Sequence, residues 1–403
     1  MHPHGQVQNV GGAVMKAGNV TQFLSGLLCA PATETTVAGR LLVAGGGTGG
    51  HLFPGITIAE EFMSRNPLNQ VLFVSAGNRF ERSALSRAGF SLKRIAVAGL
   101  KGRGVWRKIN SLSLLPMGVL QSMVILRTYR PNLVLGVGSY AAGPIVLAAW
   151  VTGVPIVLHE QNILPGITNR VLARFARRIY VSFENTAGGF SPEKIRLTGN
   201  PVRKKILLAV DTADPRQGSP TSAENPLNIL IVGGSQGAHA INEAMIGTLP
   251  LISQKERLRV VHQTGAADEI RVKSVYEANG IEATIGSFFE NMDHQYQMAD
   301  LIICRAGATT VAEITAIGKA ALFIPFPFAA DNHQKLNADA LTANGAAEMI
   351  EEQDLSPERL ADRINHYAQN RDSLARMASA ARRLGKPDAA RRIVDDCYRL
   401  MKD

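Results

Sequence analysis

Two stretches of this chain carry the same eleven-position pattern, and that repetition limits the fold more than any other feature. Leu41–His51 reads LLVAGGGTGGH and Ile229–His239 reads ILIVGGSQGAH; they align without a gap. Each begins with four apolar residues, the length of a buried strand. A Gly-Gly turn follows, and after the first copy Ile56, Ile58, Ala59, Phe62 and Met63 form a helical stripe. Strand, glycine turn and helix open a nucleotide-binding α/β unit. Glycine lets the backbone approach a phosphate or sugar, and the new helix offers unpaired N–H groups with a partial positive charge. A second copy predicts a second Rossmann-like domain. The literal G-x-G-x-x-G of the first copy (Gly45, Gly47, Gly50) suits many cofactors and is weak evidence alone.

The intervening sequence narrows the ligand. Val71–Ser75 reads as the second strand, which in a dinucleotide domain ends near an acid that holds the ribose. Here Ser75, Ala76, Gly77 and Asn78 follow, and Glu81 is too far along, which counts against a dehydrogenase. Further strands are expected at Leu133–Val137, Pro155–Glu160 and Arg178–Ser182, then at Arg259–His262, Leu301–Cys304 and Ala321–Pro325. Residues 197–203 read as a turn, and Ala209–Asn225, rich in Asp, Pro, Ser and Gly, as a linker or surface loop. Two such domains facing a cleft form the architecture called GT-B among glycosyltransferases. The predicted division is an extension over residues 1–39, an acceptor and membrane-facing domain over 40–203, a donor domain over 204–386, and a helix over 387–403 that returns to the first domain.

Composition supplies the exclusions. At 403 residues and 46% apolar content the chain can bury two cores. A net charge of +10 favours acidic partners such as diphosphates, nucleic acid or anionic lipid. Clustered aromatics over a basic face are missing, which argues against nucleic acid. Cys29, Cys304 and Cys397 lie far apart without metal-ligand spacing, so a reduced, cytoplasmic chain without structural zinc is expected. The longest apolar run, Ala141–Leu158, is broken by Gly143, Pro144, Gly153 and Pro155 and reads as helix, turn and strand. A signal peptide is a poor reading of the first 39 residues, where Lys16 alone precedes a weak apolar segment. No acidic residue occurs between Glu81 and Glu160. Within that gap Lys101, Arg103, Arg107 and Lys108 surround Val105, Trp106 and Ile109, a pattern suited either to an anionic membrane surface or to a solvated helix.

In the second domain, Cys304–Glu313 (CRAGATTVAE) predicts a strand end, a turn, and a helix starting near Thr309. Its first N–H groups can bind a diphosphate without a metal. Glu313 can take a ribose diol, or cap the helix together with Thr310. The amide-rich loop Pro325–Asn337 suits sugar hydroxyls. No D-x-D occurs, and a helix start with Arg203 can replace a metal electrostatically. No cofactor is required by these motifs, while assistance from a divalent cation stays open.

Taken together, GGGTGGH with Pro54, HEQN at His159–Asn162, GNPVR at Gly199–Arg203, GGSQGA at Gly233–Ala238 and CRAGATTVAE resemble the MurG family, from about Leu41 to the C-terminus. That family transfers N-acetylglucosamine from UDP-GlcNAc to lipid I, a polyprenyl-diphosphate-linked acceptor, giving lipid II of peptidoglycan. The resemblance implies a peripheral enzyme on the cytoplasmic face of the inner membrane. It implies that Thr48, Gly49 and Gly50 face the sugar and diphosphate. Asn162 and Arg203 would contact the donor, and Ser235 the diphosphate. The backbone of Phe289 would pair with uracil. Ala308, Thr309, Thr310, Val311, Ala312 and Glu313 would hold phosphate and ribose, and Gln334 the sugar. The segment around Trp106 matches the family's membrane-associated patch. Two positions depart from the pattern: Ser139 stands where a second glycine is common, and Phe328 where a histidine is common. For the inverting displacement, His51 is the first candidate base because a helix start keeps an imidazole neutral; holding the loop or an acceptor phosphate is its other reading. Glu160 is the second candidate base. A UDP-GlcNAc 2-epimerase, another GT-B enzyme, or a non-catalytic sugar-nucleotide-binding module would share the donor motifs.

Overall fold

The computed structural model describes residues 38–97, 105–186, 189–211, 225–234 and 237–402, with the backbone alone for 105–113 and 209–211. The first half alternates strands and helices: β1 (Arg40–Ala44), α1 (Gly49–Arg65), β2 (Gln70–Ser75), α2 (Arg79–Arg87), β3 (Ser91–Arg94), α3 (Val105–Tyr129), β4 (Leu133–Gly136), α4 (Ala142–Val151), β5 (Ile156–Glu160), α5 (Ile167–Leu172), β6 (Arg178–Val181) and β7 (Ile195–Leu197). The second half continues with α6 (Lys204–Asp211), β8 (Leu227–Val232), α7 (His239–Thr248), β9 (Leu258–Gln263), α8 (Glu269–Ala278), β10 (Glu282–Gly286), α9 (Met292–Met298), β11 (Leu301–Cys304), α10 (Ala308–Ile317), β12 (Ala320–Phe323), α11 (His333–Thr342), β13 (Glu348–Met349), α12 (Pro357–Gln369) and α13 (Arg371–Leu384); α14 (Ala389–Lys402) closes the chain.

Both sheets are parallel. Their orders are β3-β2-β1-β4-β5-β6-β7 and β10-β9-β8-β11-β12-β13. Strands covered on both faces need no polar side, which is why β1 and β8 read as unbroken apolar runs. The two-residue period still sorts them: Leu41 and Val43 enter one core layer, Leu42 and Ala44 the other. Ile229 and Ile231 are divided from Leu230 in the same way. In each sheet the order reverses beside the first strand, between β1 and β4 and between β8 and β11. Connections leave in opposite directions there, and a ligand crevice opens above the strand ends. The glycine turns follow β1 and β8, so both lie at these crevices.

The last helix does return to the first half. Ile393, Val394, Cys397 and Leu400 of α14 join the core of β1 and α1, and Tyr398 stacks on Phe62 with ring centroids 5.2 Å apart. Three expectations need correction. Gly39, assigned to the extension, belongs to the fold: its N–H donates to Asn69 Oδ1 at 2.8 Å; residues 1–37 lie outside the described residues. The loop expected from Ala209 begins later, because α6 runs to Asp211; 212–224 are not described. Short strands β3, β7, β10 and β13 were not expected. Among the described residues no helix is long and apolar enough to cross a membrane.

Candidate active site

The floor of the first half is two turns pressed together. Gly45 (φ +115°) follows β1, and a Cβ there would overlap the carbonyl of Gly138 in the turn after β4. Close approach therefore demands glycine. Ser139, next to it, has φ +71°, a left-handed conformation in which a glycine would be unstrained. Buried Glu81 ties the first turn down. Its Oε1 accepts from Gly47 N at 2.6 Å and its Oε2 from Asn78 N at 2.7 Å, completing a capping box at the start of α2. This acid, too distant for a ribose, instead organises the glycine turn. Thr48 is the N-cap of α1, and Gly49 and Gly50 form its first turn.

His51 stands in that first turn. Its Nδ1 lies 3.0 Å from Val137 O and 3.0 Å from Gln161 Oε1, both acceptors. Those partners assign the proton to Nδ1, which leaves the Nε2 lone pair to accept. Gln161 is oriented in turn: its Nε2 donates to Val137 O at 2.9 Å and to His159 Nδ1 at 3.0 Å. His159 is buried, and burial lowers its imidazole to about 4, so it stays neutral and fixes the Gln161 amide.

Glu160, the alternative base, is engaged by its own loop. It is 1% exposed. Its Oε1 accepts from Asn162 N at 3.0 Å, and its Oε2 from Gly166 N at 3.1 Å and Asn169 Nδ2 at 2.8 Å. This buried carboxylate, also 3.4 Å from Asn162 Nδ2, holds the loop from 161 to 169. Asn162 reaches across the cleft instead. Its Oδ1 accepts from Asn337 Nδ2 at 3.2 Å, and Asn337 Oδ1 accepts from Ile163 N at 3.2 Å. Asn337, on α11, thereby bridges the two halves.

On the donor side, α10 starts with Gly307 as its N-cap and no side-chain cap, so the Thr310–Glu313 capping box is not formed. The first N–H groups of Ala308, Thr309 and Thr310 have no partner within the helix, and Thr309 Oγ1 is buried without a hydrogen bond. Both features fit an oxygen-rich anion. Glu313 is buried and engaged. Its Oε1 accepts from Arg203 Nε at 3.0 Å and Nη2 at 2.8 Å, and its Oε2 from the Tyr296 hydroxyl at 3.1 Å. A ribose diol at Glu313 has to share or displace these partners. The Arg203 guanidinium also lies 5.4 Å from the Phe53 ring of α1, so it faces both halves. Val311 lies on the opposite side of α10 from Glu313, with Ala312 between them round the helix. Phe289 N–H donates to Gln263 Oε1 at 3.1 Å, while Gln263 Nε2 donates to Gly234 O at 2.9 Å. Gln334 Oε1 accepts from Phe326 N at 3.0 Å at the rim of the amide loop. Ser235 lies outside the described residues, as do Lys101 and Arg103 and the side chains of Trp106, Arg107, Lys108 and Ile109.

Two facing Rossmann halves with polar groups at both switch points define the GT-B architecture. Residues 41–181 match the glycosyltransferase family 28 N-terminal domain and residues 228–393 the family 28 C-terminal domain. The chain is similar to the UDP-N-acetylglucosamine–N-acetylmuramyl-(pentapeptide) pyrophosphoryl-undecaprenol N-acetylglucosamine transferase of Trichlorobacter lovleyi, 46% identical over 88% of this chain and 97% of that one. It is also similar to the crystal structure of Acinetobacter baumannii MurG, with 32% identity, TM-score 0.71, and coverage of 89% of this chain and 98% of the other. The chain belongs to the MurG family of transferases. UDP-GlcNAc 2-epimerase from Neisseria meningitidis bound to UDP-GlcNAc superposes with TM-score 0.63 at 14% identity, over 89% of this chain and 99% of that one, and shares the fold alone.

Proposed function

We propose that this protein transfers N-acetylglucosamine from UDP-N-acetylglucosamine to the N-acetylmuramyl sugar of an undecaprenyl-diphosphate-linked acceptor. The observation that carries the reading is near-full-length identity of 46% to a transferase of that name. The site supplies the chemistry. The acceptor hydroxyl attacks the anomeric carbon as the bond to the UDP oxygen breaks, inverting that carbon. His51 Nε2 takes the hydroxyl proton, because its Nδ1 proton is already committed to Val137 and Gln161. UDP leaves with the bonding electron pair. The α10 start, the Thr309 hydroxyl and Arg203 stabilise the charge it gains. The donor phosphates are met by these groups without a resident metal, so chelation with EDTA leaves transfer largely intact. The deciding experiment follows labelled GlcNAc with and without a lipid I analogue. Product that forms only with the acceptor supports transfer; epimerised UDP-GlcNAc, or binding with no turnover, overturns it.

We further infer peripheral attachment to an anionic membrane through the first half. Met117, Leu120 and Val124 of α3 are 52%, 59% and 64% exposed, continuing the helix that begins beside the basic segment at 101–108. An apolar stripe flanked by lysines and arginines suits a lipid surface. Leu120→Glu with Val124→Glu should reduce co-sedimentation with phosphatidylglycerol vesicles, and undiminished binding would refute the attachment face.

A further inference from the structure

The helix that starts the donor site has a second face with its own cavity. Ala308, Val311, Ala312 and Thr315 of α10 line a space of about 300 Å³, Val311 and Thr315 from the side opposite Glu313. The other walls come from α11, from the first half just after β6, and from both chain crossings between the halves: Gly199–Asn200 on one and Arg383–Lys386 on the other. Lys386 lies directly against Gly199, so the two crossings meet at this cavity. Ile163, which lines the cavity, donates its N–H to Asn337 Oδ1 at 3.2 Å and so joins the two halves at the cavity's edge.

One buried polar side chain here is not spent on the protein, whereas Arg383 Nη1 donates to Ser379 Oγ at 3.2 Å. Asn200 is 4% exposed, and neither its Oδ1 nor its Nδ2 has a hydrogen-bond partner. Buried amides are ordinarily satisfied, and one that lines a cavity is poised for a ligand's donor and acceptor. Phe183, Leu341 and Leu384 give the space an apolar body. Arg383 and Lys386 face it against a single carboxylate, Glu184.

We propose that this hinge cavity is a second ligand site, beside the nucleotide's and sharing the start of α10 with it, for a small amphipathic anion. Its apolar body rests on Phe183 and Leu341, a carbonyl or hydroxyl pairs with Asn200, and a carboxylate or phosphate meets Arg383 and Lys386. The test uses the full chain and 4-phenylbutyrate as probe, followed by saturation-transfer NMR and calorimetry with and without saturating UDP. Saturable binding that persists with UDP is expected. Ala340→Phe, which fills the space from α11, should abolish it. Arg383→Gln with Lys386→Gln should weaken it about tenfold, the scale of a lost charge-assisted contact. Competition by UDP, binding unchanged in the folded variants, or no binding at millimolar probe each overturns the site. Should Ala340→Phe fail to fold, the paired glutamine variant decides.

Discussion

The role proposed for His51 as base rests on the nitrogen that would not react. With Nδ1 held 3.0 Å from two acceptors, the ring can neither flip nor place its proton on Nε2 without losing both contacts. His51→Ala should therefore lower kcat about a hundredfold with little change in donor KM; a normal kcat with a raised KM would make the residue a loop or phosphate contact instead. Gln161→Ala tests the same idea one bond away and should lower kcat about tenfold with donor KM unchanged. Ser139 offers a stability test. Its left-handed backbone costs about 1–2 kcal/mol against glycine, partly offset by the unfolded-chain entropy of glycine. Ser139→Gly should thus stabilise by up to about 1 kcal/mol, read from the urea midpoint. The motif residues of the site were legible one by one, but their partnerships were not. Nothing local in the sequence links Glu81 to Gly47, Asn337 to Asn162, or Tyr296 to Glu313, because each pair meets only after a crossover or across the cleft. HEQN could be located at a strand end, yet which of its members would be solvent-facing depends on the loop that Glu160 folds around itself.

Among the elements, α14 is the one whose position matters most for its size. Tyr398 stacks on Phe62 and its hydroxyl accepts from Asn69 Nδ2 at 2.6 Å, while Asp395 takes Arg65 Nη2 at 2.9 Å. Tyr398→Ala removes a buried ring and a buried hydrogen bond and should cost about 3 kcal/mol. Equilibrium unfolding checks it, and a loss below about 1 kcal/mol would mean that α14 merely rests on the first half. Long apolar strands and glycine turns were easy to foresee because two covered faces impose an unmistakable pattern. The missed strands β3, β7, β10 and β13 are short, and Ser91–Arg94 and Glu282–Gly286 mix polar and apolar residues. They sit at or near sheet edges, where one neighbour and partial cover relax the demand for apolar residues. The alternative reading of Glu313 as a cap with Thr310 failed for a related reason: spacing alone cannot tell a cap from a carboxylate that turns inward toward Arg203.

For the whole molecule, two buried histidines set a pH limit. Burial lowers His159 to about 4 and His262 to about 3, below the ordinary value near 6.5. Unfolding lets both take up a proton that the native fold refuses. Their contribution to stability is therefore complete above about pH 6.5 and is lost as pH falls through the folded values. The two shifts correspond to about 3 and about 5 kcal/mol, so urea midpoints should fall steeply between pH 6.5 and 4. His159→Gln should flatten that slope; an unchanged slope would show that His159 is not buried neutral.

The return of α14 to the first half also governs how the protein can be made. A ribosome delivers β1 through β7 long before Ile393, Val394 and Cys397, yet those late residues complete the layer beneath β1 and α1. The half that emerges first must wait with an open apolar face while the entire second half is synthesised. A nascent chain halted before residue 389 should expose that face to chaperones and proteases, whereas the second half, whose core is drawn wholly from residues already delivered, can fold while its elder partner is still unfinished.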